Sequence, residues 1–567
     1  MGDNELGLRY WQSQRLTRRR LLGGVAVGGA AVAAIGLVGC SSRKKAVDGP
    51  TARASGTTTV QDGTQDGPGK PGGILKIRQP VDLPSMNPFG PSILALAQGL
   101  TLGFTVFDHM WYVPTDTGKL ELFLATSVEQ PDATTVIATL GDATFHDKPP
   151  VNGRKVTAED VAASYKRFAE ELPFTYDWLH NVMEDIVAVD EKTVKITQKF
   201  PWAWVFTSSN AGSPWTGSIL PKELLHNNDD FLSKDAIGSG HWMLAGHDNG
   251  ANIKLRKFPN FRVKGQPLLD GIDFKSITND TAGLAAFKAG DIDQYGFSSR
   301  SEAEDTKSAL ADKIVIGSDL GRDFFCFMLK YEPPFDDDRV RRAFNLLIDR
   351  DEVIDLLAEG SGVKCGPLPP AHKKYVLPDD DKDLQEYFRH DVAEAKKLLE
   401  AASFPFDQEF ELKHSVRPSD SQLADVLRTQ LGRGGIKIKL RPEDLIKWLS
   451  QSLGQSDFQM TAFLHLAYED PDLPLRFFLS ADGDRKNFMK YKDAKVDEAI
   501  LAASRELDEE ARIKKVQEAQ RVIINAWAPM YNVFSEIGYG GRYSYVKGTI
   551  SGRGSLGLFN RTTWLDK

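Results

Sequence analysis

Two periods of apolar spacing run along this chain. Gly72-Gly73-Ile74-Leu75-Lys76-Ile77 alternates with a period of two, and the same pattern recurs at Thr134–Leu140, Thr193–Thr197, Asn252–Lys257 and Ile272–Ile277. Alternation of this kind predicts half-buried strands. Helical spacing comes between them: Thr157-Ala158-Glu159-Asp160 has the form of a cap, and Val161, Tyr165 and Phe168 behind it share one face. Asp391 to Glu394 repeats the device ahead of Val392, Ala395, Leu398 and Leu399. Asp338 to Leu347 reads as a helix with Val340, Phe344 and Leu347 inward. Leu423, Val426, Leu427 and Leu431 form another stripe, which Gly432, Gly434 and Gly435 end before Ile436–Leu440 alternates as a strand. A long helix from Asp508 carries Val516, Ile523 and Trp527 until Pro529 stops it. Interleaved helices and strands over this length imply α/β architecture in more than one lobe.

The first 71 residues have neither period. Arg18, Arg19 and Arg20 precede an uncharged run from Leu21 to Gly39, and Cys40 follows. A cationic front, an apolar middle and small residues at the end predict a secretory signal over residues 1–39. Thr17-Arg18-Arg19-Arg20-Leu21-Leu22 also fits the twin-arginine export pattern, leaving that route and the general secretory route both open. Leu37-Val38-Gly39-Cys40 resembles a bacterial lipobox, which makes Cys40 the expected lipidation site and membrane anchor; a plain signal anchor is the alternative. Residues 40–71 are dominated by Gly, Thr, Ser, Asp and Lys and have no aromatic side chain, a composition too polar to fold, and they read as a flexible tether.

Charge and cysteine count narrow the partners. The chain carries −8 overall; the leader, with five Arg against Asp3 and Glu5, carries +3, leaving about −11 on the body. An acidic body argues against nucleic acid, which is bound by neutralising phosphates. Besides Cys40 only Cys326 and Cys365 remain, and they are open to two readings: an exported disulfide, or two buried thiols, Cys326 lying in the apolar run Phe324-Phe325-Cys326-Phe327-Met328. No metal set, Walker loop, G-x-S-x-G or H-E-x-x-H occurs. Gly552-Arg553-Gly554-Ser555-Leu556-Gly557 matches G-x-G-x-x-G, but the chain ends ten residues later, without room for a βαβ unit. Asp379, Asp381 and Asp383 lack the glycine and glutamate of a calcium hand, and His146 reads as a turn residue.

A series of short motifs then carries a resemblance. Ala143-Thr144-Phe145-His146-Asp147 with Val156-Thr157-Ala158-Glu159-Asp160-Val161, Gly238-Ser239-Gly240, Ala285–Asp293, Phe335–Phe344, Asp470-Pro471-Asp472, Val496-Asp497 and Pro529-Met530-Tyr531 stand in one order. In that order they resemble the bacterial ABC-transporter solute-binding proteins of family five, the peptide and nickel class. Lys148 departs from the family pattern, replacing a glycine. The resemblance implies a two-lobed α/β, periplasmic-binding-protein-like fold with an extra smaller domain on the first lobe. It divides the chain into lobe I at 72–115, 205–315 and 536–567, the extra domain at 116–204, and lobe II at 316–535, with crossings near residues 316 and 535. It implies an extracytoplasmic monomer that captures a peptide-like or other small solute and delivers it to ABC permease subunits, without cofactor, metal or catalysis; a secreted lipoprotein hydrolase is the alternative. By the same resemblance His465, Ala467, Tyr468, Glu469, Asp470, Tyr531 and Asn532 line the cleft. Trp242, and beyond it Trp202 and Trp204, join them as aromatic candidates. Peptide binders of the family commonly place an Asp three residues before the D-P step to pair the peptide ammonium. Here that position is Ala467.

Overall fold

The computed structural model describes residues 69–80, 85–89, 102–103, 105–112, 120–171, 178–207, 217–248, 252–465, 470–480, 487–549 and 561–567. The leader, Cys40, most of the tether and the Gly552–Gly557 motif lie outside them.

Alternating residues become strands where one face is buried. Strand β1 (Ile74–Gln79) shows this directly, with Leu75, Ile77 and Gln79 inward. Strands β2 (Ala125–Asp132), β3 (Thr135–Leu140), β4 (Met183–Ala188) and β5 (Thr193–Gln198) form a separate antiparallel sheet in the order β2-β3-β5-β4. Helix α1 (Ala158–Glu171) packs on this sheet through Val161, Tyr165 and Phe168, none of which has exposed surface.

Its start is a capping device. Asp160, at the third helical position, accepts hydrogen bonds from the Thr157 N–H at 2.9 Å and the Thr157 hydroxyl at 2.9 Å. The same carboxylate takes a fork from Arg154, at 2.9 and 2.6 Å, and the backbone N–H of Lys222 at 2.9 Å. The helix start is thereby tied to a segment 62 residues further along.

Among the described residues, all other long strands belong to one eleven-stranded sheet. Its first half holds β6 (Trp242–Asp248), β7 (Asn252–Lys257), β8 (Gly271–Ser276), β1 and β9 (Gln294–Phe297). Its second half holds β12 (Glu409–Ser415), β13 (Lys437–Glu443) and β14 (Met460–His465). Two long strands join the halves: β10 (Ile314–Leu329) and β15 (Met530–Tyr543), antiparallel neighbours, with the short β11 (Gly362–Lys364) beside β15. The full order is β13-β12-β14-β10-β15-β9-β1-β8-β7-β6.

Helices α2 (Asp338–Leu347), α3 (Arg350–Ala358), α4 (Val392–Ala401) and α5 (Pro418–Arg433) cover the second half. Their stripes meet Phe325, Phe327, Phe410 and Leu412 in one core. The last two helices before β15 are α6 (Ala494–Ser504) and α7 (Glu509–Asn525). Helix α7 ends at Asn525, so Trp527 lies past it, in a left-handed conformation with φ 48°.

Both cysteines are free and buried. Cys326 on β10 pairs with Asn532 on one side of β15, whereas the Cys365 N–H donates to Val533 on the other side. Two strand spacings, about 9–10 Å, separate them, beyond disulfide reach. Asp381 caps the helix Lys382–Tyr387 and pairs with Arg521 at 2.9 Å. His146 is wholly buried, its ring accepting from the Gly238 N–H at 3.3 Å and lying 3.0 Å from the Gly240 carbonyl. Burial lowers its pKa to about 4.

Candidate binding cleft between the strand ends

Strand direction places the cleft. In the first half β1 is parallel to β8 and β9, and β9 is antiparallel to β15, so the carboxyl ends of all three point toward the middle of β15. In the second half β12 is parallel to β13 and β14, and β14 ends at His465 opposite Phe324, near the middle of β10. The carboxyl ends of parallel strands in both halves therefore face one level, the place where open α/β sheets bind ligands. At that level the β10–β15 register slips between Leu320 and Phe324. Gly321 lies inside the slip, and a Cβ there would come within 2.7 Å of the Glu536 carbonyl. Burial first, and the nearby Asp323 second, push the Glu536 carboxyl above its ordinary pKa.

The end of β14 is built from rings. His465 is 7% exposed and stacks on Phe324 with centroids 4.9 Å apart and planes 11° from parallel, while Phe477 meets it edge-on at 4.7 Å. Beside it Asp420, on α5, receives the Leu464 N–H at 2.8 Å and the Ser415 hydroxyl, and pairs with Arg417 at 3.0 Å. Arg417, 30% exposed, also donates to the Leu464 carbonyl at 3.1 Å, so it fastens the end of β14 to the end of β12. Asp420, Arg417 and Phe324 escaped the sequence reading because each looks like an ordinary helix or strand residue until β12, β14 and β10 are paired.

The remaining candidate residues divide into four groups. Ala467, Tyr468 and Glu469 lie outside the described residues. Asp470 is 2% exposed and engaged on both oxygens: one accepts the Leu473 N–H at 3.0 Å, the other the Thr207 hydroxyl at 3.2 Å. Tyr531, Asn532 and Trp242 are at most 1% exposed. The Tyr531 hydroxyl donates to the Arg341 carbonyl at 2.9 Å. The Asn532 carboxamide donates to the carbonyls of Gly366 and Pro367, at 2.8 and 3.1 Å, so it braces that loop from below. Trp242 begins β6 and belongs to the same buried core as Trp202 and Trp204. Trp202 and Trp204, each 2% exposed, lie together in a segment that contacts the second half.

Among the described residues no cluster of His, Cys, Asp and Glu is arranged to hold a metal, and no helix is long and apolar enough to cross a membrane.

Known proteins share this arrangement. A heme-binding protein A from Haemophilus influenzae is 22% identical over 421 residues, covering 70% of this chain and 75% of the relative. Among solved structures, DppA from Helicobacter pylori in complex with the peptide STSA superposes with a TM-score of 0.73 at 23% identity, covering 88% of this chain and 99% of that one. AgaA from A. tumefacien R10 in complex with agropinic acid gives a TM-score of 0.72 at 23% identity, covering 87% and 99%. The fold is thus the two-lobed periplasmic-binding-protein fold. Residues 119–486 match the family model described as bacterial extracellular solute-binding proteins, family 5 Middle. With most of its length under that model and its parallel strand ends converging on one cleft, the chain belongs to the bacterial extracellular solute-binding proteins, family 5.

Proposed function

We propose that this protein is a lipid-anchored, extracytoplasmic receptor that takes a peptide-like or other small solute between its lobes and hands it to an ABC importer. The convergence of strand carboxyl ends on the β10–β15 slip carries this reading, because solute held there touches both lobes. Contacts available only when the lobes approach make binding favour the closed form by that difference in affinity. Relatives named for heme, for a peptide and for agropinic acid support a solute-binding role while spanning very different ligands. The secreted-hydrolase alternative has no support among these relatives, which are named as binding proteins.

The ligand class follows from Ala467 and Asp470. Alanine offers no charge to a peptide ammonium, and both Asp470 oxygens already serve the Leu473 N–H and Thr207. Removing one partner of a buried ion pair costs about 3–5 kcal/mol, more than a hundredfold in affinity. The proposed solute is one without a free α-ammonium in the usual place, a blocked peptide or a non-peptide; the Glu469 and Asp470 carboxylates are the route by which a free peptide would still be held. Mass spectrometry of small molecules released on denaturing the purified protein identifies it. Calorimetry with matched free and N-acetylated peptides tests the class: tight binding of the free forms that is lost on acetylation refutes it.

A further inference from the structure

One residue after β5 the chain reads Phe200-Pro201-Trp202-Ala203-Trp204-Val205-Phe206-Thr207. This segment leaves the four-stranded domain, which is tied to the first half by bonds such as His146 N–H to the Gly238 carbonyl at 2.8 Å. Phe206 keeps an edge-on contact with Trp111 at 5.5 Å, whereas Phe200, Trp202, Ala203, Trp204 and Thr207 reach the second half. The Arg476 guanidinium lies 4.8 Å from the Trp202 ring, Arg512 5.0 Å from Trp204 and Arg505 5.2 Å from Phe200. Tyr375 meets Trp204 edge-on at 5.4 Å. Between these rings the Ala203 N–H donates to the Ser504 carbonyl at 2.9 Å, and Thr207 reaches Asp470 at 3.2 Å.

The receiving surface is stiff. Arg476 is 4% exposed and 3.7 Å from Asp472, itself 3% exposed, and the Ser504 hydroxyl donates to Asp472 as α6 ends. Arg512 donates to the carbonyls of Glu506 and Leu507 at 3.0 and 2.9 Å. The Arg476 and Arg512 guanidinium groups are thus held by their own lobe and face Trp202 and Trp204 of the other. Cation–π attraction strengthens as such pairs lose water, and Trp gives the strongest face. Every one of these contacts is made by the chain's own residues.

We propose that the Phe200–Thr207 segment is a latch that holds the four-stranded domain against the second lobe, so that part of the free energy of closure comes from the protein and is independent of solute chemistry. The latch rests on the two-lobe closing mechanism proposed above. It allows a solute with few polar contacts to be retained, because the closed population does not depend on that solute alone.

The test is an inter-lobe distance distribution, by pulsed electron paramagnetic resonance, on the purified full chain without added solute. Spin labels go on Val189→Cys and Leu356→Cys, whose parent residues are 60% and 63% exposed, in a Cys40→Ser background. Cutting the latch with Trp202→Leu plus Trp204→Leu should raise the ratio of long to short distances by about 10- to 100-fold. Arg505→Gln, at an exposed site that does not threaten folding, should raise it roughly twofold to fivefold. Two populations whose ratio neither variant changes overturn the latch and leave lobe closure standing. A single short distance in all proteins overturns the latch and the closing mechanism together.

Discussion

Replacing Asp160 with alanine tests whether one buried carboxylate holds the four-stranded domain to the segment around Lys222. Its side chain is fully buried and takes five donors: two from Arg154, two from Thr157 and the Lys222 N–H. Loss of a buried partner costs about 3–5 kcal/mol. Arg154 keeps Glu223 and is 30% exposed, which lowers the cost, whereas two backbone N–H groups left without acceptors raise it. We therefore expect about 3–5 kcal/mol for Asp160→Ala and about 2–3 kcal/mol for Asp160→Asn, which keeps the shape and one acceptor. Burial alone raises the Asp160 pKa, but hydrogen bonds from Arg154, Lys222 and Thr157 outweigh it, and the folded value lies below 3.8. With a depressed folded pKa, the stabilisation is complete above the unfolded value and is lost as pH falls through the folded one. Hydrogen exchange of α1 amides reports this domain separately from the other lobe, which a single melting temperature does not. The deficit should be full at pH 7 and should narrow as pH falls below about 4. A deficit under about 1 kcal/mol at pH 7, or one indifferent to acid, refutes the reasoning.

Gly238→Ala should abolish soluble expression or cost at least about 3 kcal/mol, since its Cβ would lie 2.0 Å from the Val106 carbonyl oxygen; a normal unfolding midpoint contradicts this. His146, with its pKa lowered to about 4 by burial, stays neutral in the folded state while the unfolded chain gains a proton below about pH 6.5. Its contribution, roughly 3 kcal/mol, is therefore present above that pH and lost progressively toward pH 4, measurable as a shallower acid slope in His146→Gln. Cys326 and Cys365 should resist a thiol reagent at pH 8 until the protein unfolds, since burial first of all pushes both thiols up; rapid native reaction of either disproves it. Cys40→Ala should leave an uncut precursor absent from the lipid-modified fraction, and normal processing would exclude the lipobox.

Local pattern carried the helices and the half-buried strands. Val161, Tyr165 and Phe168 are written in the sequence at helical spacing and are buried without remainder. The sheet order is a different kind of fact: β1 lies between β8 and β9, and β15 between β10 and β9, pairings of residues hundreds of positions apart that no window of sequence contains. The candidate site shows the same division. Asp470 was legible from its motif, but its carboxylate is occupied by Leu473 and by Thr207 from 263 residues away. Trp242 and Trp202 look alike in sequence and lie in one continuous core, yet Trp202 faces the Arg476 guanidinium, a neighbour that no local pattern announces.

The position of β15 also sets an order of events during synthesis. The first-half sheet has β9 bonded to this strand, which spans Met530–Tyr543, so β1 to β9 emerge from the ribosome long before the neighbour that completes them. The β2–β5 domain is different, because all its pairings fall between Ala125 and Gln198. That domain is able to fold while the chain is still growing, whereas the sheet around it waits with an unpaired edge until the last strand arrives. Such an edge is open to wrong partners for most of translation. A slow or truncated C-terminus should thus be felt first in the N-terminal half of the protein, far from where the chain was cut.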